Sequence, residues 1–305
     1  MLSQAPKSRR GAAEPEADIE ATVAVYCTAD NRYIVPSLIA LDSVRRFHPG
    51  CAYFVIGNAD DIATENLELL QRHGIGFIHS EQNLHFKSSV WPNSAYLTLF
   101  GPEILLGCGF SYSLGLDPDI LCVSALDMSA IFSQTRGFAG IENHDPRSSN
   151  FADPVKVQSL WNLSDQVLAG RNTNTGVVFW NNRAAAEFHL GERCICCYQE
   201  LVQNGAPVVG DQALFALVSV TAEGLPFRVL DYLYNYRVGN SKDLQRSPRG
   251  VKIFHFTGRK PWQSWQPATL REYLFKPRWF KFHAMWRDHV KKRGLPMPTA
   301  EGIPC

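Results

Sequence analysis

The stretch Phe110-Ser-Tyr-Ser-Leu-Gly-Leu-Asp-Pro-Asp-Ile-Leu-Cys122 sets two carboxylates, Asp117 and Asp119, one residue apart where a mostly apolar run meets a turn. In extended backbone the side chains of residues i and i+2 project the same way, so two carboxylates can converge on one cation. Pro118 removes a backbone donor and disfavours helix at the residue before it, which argues for a strand end here. Hard divalent cations such as magnesium and manganese take carboxylate oxygens. An Asp-x-Asp alone fits a solvated turn as well, so the rest of the chain has to decide.

Upstream, Val23 to Cys27 is a short apolar, β-prone run that ends in the polar loop Thr28-Ala-Asp-Asn-Arg-Tyr33. Leu38, Leu41 and Val44 repeat at helical spacing over residues 35–47, with Pro36 tolerated in a first turn and His48-Pro-Gly50 as the stop. The pattern continues with a strand over 53–56, an amphipathic helix over 62–72 and a strand over 76–79. Residues 94–106 read as helix, interrupted at Gly101-Pro102, and lead into the strand that ends at Asp117. Such alternation predicts a largely parallel α/β sheet, in which ligands sit beyond the strand C-termini. The Thr28–Tyr33 loop and the Asp pair both fall there.

Downstream, residues 137–141 read as a strand and the polar stretch 143–164 as a mobile loop over the site. Asn172-Thr-Asn-Thr-Gly-Val-Val-Phe-Trp-Asn-Asn182 is a polar turn feeding a strand. A helix is predicted over 184–202 with Gly191 as its weak point, and Gly210-Asp-Gln212 opens an apolar helix over 213–220. A strand near 227–230 and the run Val251-Lys-Ile-Phe-His-Phe256 precede Thr257-Gly-Arg-Lys-Pro-Trp262.

The 305 residues, 45 % hydrophobic and 19 % charged, suffice for a sizeable core. A formal net charge of +1 gives no basis for nucleic-acid binding. No run approaches the roughly 18 apolar residues of a membrane span, and residues 1–20 lack the apolar centre of a signal peptide, which predicts a cytoplasmic protein. In that compartment the eight cysteines, including the Cys194-x-x-Cys197 pair, read as reduced thiols. Three segments result: a disordered leader over 1–20, one α/β domain over 21–267, and a basic, aromatic tail over 268–305.

The ordered set T-A-D-N-x-Y from Thr28, Y-x-x-x-x-x-P-E from Tyr96, L-D-x-D from Leu116, N-T-G-V from Asn174, D-Q from Asp211 and H-F-T-G-x-K-P-W from His255 resembles the family 8 retaining glycosyltransferases. That family includes galactosyl- and glucosyltransferases of bacterial lipopolysaccharide cores, glycogenin and galactinol synthase. The resemblance runs from Val23 to Trp262. It implies an α/β, GT-A (Rossmann-like) single domain with an open mixed central sheet. It also implies a hexosyltransferase that moves galactose or glucose from a UDP-sugar to a glycan or lipid-linked glycan acceptor, in surface polysaccharide synthesis.

Residue by residue, the resemblance implies a metal held by Asp117, Asp119 and His255. The imidazole tilts the choice from magnesium toward manganese. Asp30 and Tyr33 would recognise uracil, and Thr28 and Ala29 would offer backbone groups to the same nucleoside. Lys260 would neutralise donor phosphate, with Gly258 allowing close backbone approach. Asn174, Asp211 and Gln212 would line the transferred sugar, Gln212 acting through its carbonyl dipole and Asp211 positioning donor hydroxyls. Arg32 stands where the family often has Asn, and Thr98 where it usually has Arg.

Each residue also has a structural reading. His255 could be a strand-end histidine satisfied by backbone, Lys260 a solvated loop charge, and Asp211-Gln212 a helix N-terminus. A non-catalytic nucleotide-sugar-binding relative and a sugar nucleotidyltransferase are the rival functions, although the latter normally has a Gly-rich loop that Thr28–Tyr33 lacks. The tail interleaves Tyr273, Phe275, Trp279, Phe280, Phe282 and Trp286 with Arg271, Lys276, Arg278, Lys281, Arg287 and Lys291 to Arg293. It reads equally as a peripheral membrane contact or as an amphipathic helix packed on the domain.

Overall fold

The computed structural model describes residues 19–81, 92–142, 154–162, 173–206, 210–221, 225–263 and 277–298. Its strands are β1 (Val23–Thr28), β2 (Ala52–Gly57), β3 (Gly76–His79), β4 (Tyr112–Leu116), β5 (Ile120–Cys122), β6 (Phe138–Gly140), β7 (Val177–Asn181), β8 (Phe227–Val229), β9 (Tyr236–Arg237) and β10 (Ile253–His255). Seven form a central sheet in the order β3-β2-β1-β4-β7-β6-β8. The first four are parallel, as the alternation of elements predicts, and β7 runs antiparallel between β4 and β6, so the sheet is mixed. The other three strands form a small second sheet, β5-β10-β9, with β10 antiparallel to β5.

Strand β1 is buried along its whole length, as a strand covered on both faces must be. Its alternation divides the core. Val23, Val25 and Cys27 join the layer that holds Leu38, Leu41 and Val44 of helix Ile34–Arg45, while Ala24 and Tyr26 join the layer of Leu214, Phe215 and Leu217 from helix Asp211–Thr221. The ends of β1, β4 and β10 and the start of β7 meet at one point. There Asp117 N–H donates to Gly176 O (2.9 Å) and Phe256 N–H to Asp119 O (2.9 Å), which stitches the Asp-Pro-Asp turn to both sheets.

Several sequence expectations change. The helix over 184–202 is two helices, Asn182–Glu187 and Leu190–Gln203, broken at His189, whose φ of 53° is left-handed. Gly191 lies inside the second, where a Cβ would sit 2.5 Å from the Phe100 ring. Within the stretch read as a loop over 143–164, Pro154–Trp161 is helical, and the rest apart from Asn162 lies outside the described residues. Ile19 and Glu20, read as part of the leader, are instead folded onto the domain: Ile19–Thr22 is a 3-10 turn and Glu20 accepts from the His48 ring (2.6 Å). Residues 1–18 lie outside the described part. The seven described cysteines are free, and burial pushes the Cys197 thiol up to about 12.

The tail divides the same way. Pro277–Arg293 is a helix whose Trp279, Phe280, Phe282 and Trp286 belong to the main core, Trp286 with no exposure at all. Packing on the domain, not an aromatic face turned outward, is what these four side chains do. At its C-terminal end Arg293 forks onto the buried Asp42 (2.9 and 3.1 Å), beside His289 and Arg45. Burial opposes the Asp42 charge, but these partners outweigh it and hold the carboxyl well below the usual range.

Candidate metal centre and adjoining cavity

Register brings the three metal candidates together. His255 pairs with Ile120 across β10 and β5, so its ring lies beside Asp119, and the extended Asp-Pro-Asp turn brings Asp117 to the same point. His255 Nε2 lies 3.3 Å from both Asp117 Oδ2 and Asp119 Oδ1, and one ligand atom from each residue falls within 4.8 Å of the others. Asp119 and His255 are 4 % and 3 % exposed, so these charges are held in the protein rather than in water. Gly176 makes the approach possible, because a Cβ there would stand 2.2 Å from His255 Cε1 and 2.7 Å from Asp117 Oδ2. Two carboxylates and one imidazole, closely spaced and backed by no bulkier side chain, suit a divalent first-row cation.

The charges of this cluster are strongly coupled to one another. Burial works against the Asp119 charge, yet Lys260 and then His255 hold its carboxyl far below the usual range. Burial likewise opposes a charged His255, and Asp119 more than offsets it, so the imidazole is pushed up to about 9. The pair of carboxylates thus gathers positive charge from the neighbouring Lys260 and His255.

Behind the ligands runs a relay of amides. Asn235, with no exposure, sets its Oδ1 3.0 Å from His255 Nδ1 and donates from Nδ2 to Asn174 Oδ1 (2.7 Å). Asn174 in turn donates from Nδ2 to Gln212 Oε1 (3.0 Å) and accepts from Gly176 N–H (3.2 Å). An acceptor at Nδ1 makes that nitrogen the donor and turns the Nε2 lone pair of the neutral ring toward the carboxylates, the arrangement a metal ligand needs. Sequence reasoning missed both Asn235 and Gly176. Asn235 follows the short turn Tyr232–Tyr234 and carries no motif, whereas Gly176 stands within the quoted N-T-G-V run.

A cavity of about 250 Å³ opens beside this centre. It is lined by Thr28, Tyr33, Asp117, Asp119, Asn174, Asp211, Gln212, His255, Gly258 and Lys260, ten of the twelve residues singled out from the sequence, and by the unforeseen Pro92 and Ser94. Lys260 reaches inward and its ammonium hydrogen-bonds Asp119, one of the candidate metal ligands. Gly258 has φ 82° and open space where a Cβ would be, as a tight backbone turn requires. Asp211 opens helix Asp211–Thr221, and burial, then the charge of Asp117, push its carboxyl up to about 7 against a hydrogen bond with Thr175.

Two expected residues stand apart. Ala29 is buried and spends its N–H on Ile56 O (3.1 Å), leaving only its carbonyl for any ligand. Asp30 caps the short turn Asn31–Tyr33 and holds Arg32 through the backbone N–H (3.0 Å), Nε (3.2 Å) and Nη2 (2.7 Å), outside the cavity lining. The Tyr96–Glu103 motif is structural here. Tyr96 is buried, Thr98 O accepts from Tyr26 O–H (2.8 Å), and the Glu103 carboxylate accepts from Gly191 N–H (2.9 Å).

No known family profile and no curated protein matches this sequence. Solved structures do. The bifunctional glycosyltransferase WbbM superposes with a TM-score of 0.58 at 16 % identity over 83 % of this chain, which spans about half (49 %) of WbbM. The galactosyltransferase LgtC, solved with donor and acceptor sugar analogs, gives 0.57 at 18 % identity over 88 % of this chain and 99 % of LgtC. Mouse xyloside xylosyltransferase 1 gives 0.51 at 15 % identity, over 77 % of this chain and 96 % of its own. At these identities the likeness is one of architecture: the chain has the mixed α/β fold of the GT-A glycosyltransferases.

Proposed function

We propose that this chain is a retaining glycosyltransferase that moves a hexose, galactose or glucose, from a UDP-sugar to a hydroxyl of a glycan acceptor, with manganese. The observation that carries this reading is the convergence of Asp117, Asp119 and His255 with Asn174, Asp211, Gln212 and Lys260 on one cavity. When bound, the metal supplies Lewis-acid stabilisation of the departing diphosphate. Tyr33 stacks on the base and Thr28 meets the nucleoside at the end of β1. Lys260 exchanges Asp119 for the diphosphate, adding a charge-assisted hydrogen bond where negative charge grows.

Asp211 and Asn174 orient the sugar hydroxyls, and Gln212 presents its carbonyl to the anomeric carbon. An amide is a poor nucleophile, and Gln212 Oε1 already accepts from Asn174, so its part is electrostatic rather than covalent. The acceptor oxygen bonds to the anomeric carbon on the face from which the diphosphate oxygen leaves. That leaving oxygen takes the acceptor proton, and the configuration is retained. The sequence resemblance alone directs the acceptor to bacterial surface polysaccharide, and a cytoplasmic location rests only on the sequence expectation given above. Among the described residues, a membrane contact would rest on the exposed Arg278, Lys281, Lys291 and Lys292; Tyr273 and Phe275 lie outside them.

A panel of UDP-sugars incubated with manganese and followed for UDP release tests the reading. One sugar hydrolysed in preference, and only with metal, is the expected result. Formation of UTP from a UDP-sugar when pyrophosphate is supplied would indicate a nucleotidyltransferase, and binding without turnover a non-catalytic relative.

A further inference from the structure

Strand β10 carries its side chains alternately, His255 into the cavity and Phe254 and Phe256 away from it. Both aromatic rings land on helix Pro277–Arg293. Phe254 stacks on Phe282 (4.4 Å between centroids, 27°), and Phe256 meets the His283 ring edge-on (5.0 Å, 88°). One turn further along the helix, Trp286 packs on Trp262 (5.6 Å) and Arg287 Nε donates to Pro261 O (3.0 Å). Residues 261 and 262 directly follow Lys260, whose own N–H is turned onto Gln263 Oε1 (2.9 Å). The helix is fixed at both ends, Arg278 donating to Leu244 O and Arg246 O (3.1 Å each) and Arg293 to Asp42.

From this geometry we infer that the C-terminal helix is the rear wall of the site and that Arg287 is a positioning residue, holding the Thr257–Gln263 turn through the Pro261 carbonyl so that Lys260 enters the cavity. Trp286 and Phe282 set the depth of that wall, and Arg287 adds a directional bond from this helix to the turn's backbone. The donor-binding consequence rests on the role proposed above for Lys260; the positioning itself does not. A tail given to packing in this way couples the chain's C-terminal helix to the metal and phosphate half of the pocket, a function distinct from membrane attachment.

The test uses the full chain with Arg287→Met, which keeps the packed stem and removes the donor, and Arg287→Lys as the conservative partner. Amide hydrogen exchange over 257–263 in the metal-free protein reads the turn without any ligand. Exchange there should rise about tenfold in Arg287→Met, the worth of one hydrogen bond, while the strands β1 and β4 stay protected. UDP affinity with manganese should fall by about tenfold with the melting temperature nearly unchanged, and Arg287→Lys should recover part of both losses. Unchanged exchange in the turn, or a rise shared by the whole domain, overturns the inference. Raised exchange in a protein whose wild type binds no UDP would uphold the positioning and overturn only the donor reading.

Discussion

Where His255 meets Asp119, the two side chains and the amides behind them hold one another in a relay that is buried at His255, Asp119 and Asn235, with Asp117 at its open edge, whereas at the Thr28–Tyr33 end the carboxylate of Asp30 is tied to Arg32, whose side chain is 38 % exposed. The first arrangement is preorganised. Removing one member leaves a partner unpaired in a low-dielectric interior, which costs far more than the bond itself was worth. The second is a surface ion pair of the kind worth no more than about 1 kcal/mol, so a ligand can displace it cheaply. The half of the cavity assigned to chemistry is therefore rigid, and the half assigned to the base is adjustable.

Substitutions should separate the two halves by size of effect. Asp119→Ala removes a ligand and leaves His255 and Lys260 facing each other, so manganese-dependent UDP binding should fall on the order of a thousandfold by calorimetry. A loss no larger than that of a surface aspartate would end the metal assignment. Gln212→Ala should slow transfer by roughly 100- to 1000-fold while leaving UDP affinity nearly unchanged; equal losses in both would make it a binding residue only.

Asn235→Ala frees the ring of His255 to rotate, and manganese affinity, read by electron paramagnetic resonance, should drop by about 10- to 100-fold. An unaltered affinity would show that the carboxylates alone fix the ion. The smallest change is at the other end and has the opposite sign. Arg32→Asn releases Asp30, and UDP should bind up to about fivefold more tightly. Weaker binding would mean that Arg32 itself contacts the nucleotide and that the base end is held as firmly for its ligand as the metal end.

Much of the sheet was legible because β1, β2 and β3 alternate with helices at ordinary spacing, and the polar loops after β1 and β4 stand out against apolar runs. The second sheet was only partly so. Strands of three and two residues, β5 and β9, are too short for a period-2 pattern to register. That Asp117 and Asp119 would converge was readable from their spacing, and the resemblance added His255 to them; the structure brings the three side chains together. Asn235 was not, because its importance comes from a hydrogen bond to a residue 20 positions away. Arg32 was visible as a departure, but that its guanidinium would fold back onto Asp30 depends on a side-chain conformation no sequence pattern encodes. The C-terminal aromatics could not be assigned from periodicity, since an amphipathic helix looks the same against a membrane and against a domain. For Phe282 and Trp286 it is the tertiary partners Phe254 and Trp262 that show packing on the domain.

Calorimetric titration of UDP into the protein with manganese, repeated after EDTA, tests the central claim most directly. The account predicts saturable one-to-one binding that disappears when the metal is removed. Binding of equal strength in both conditions, or in neither, would contradict it.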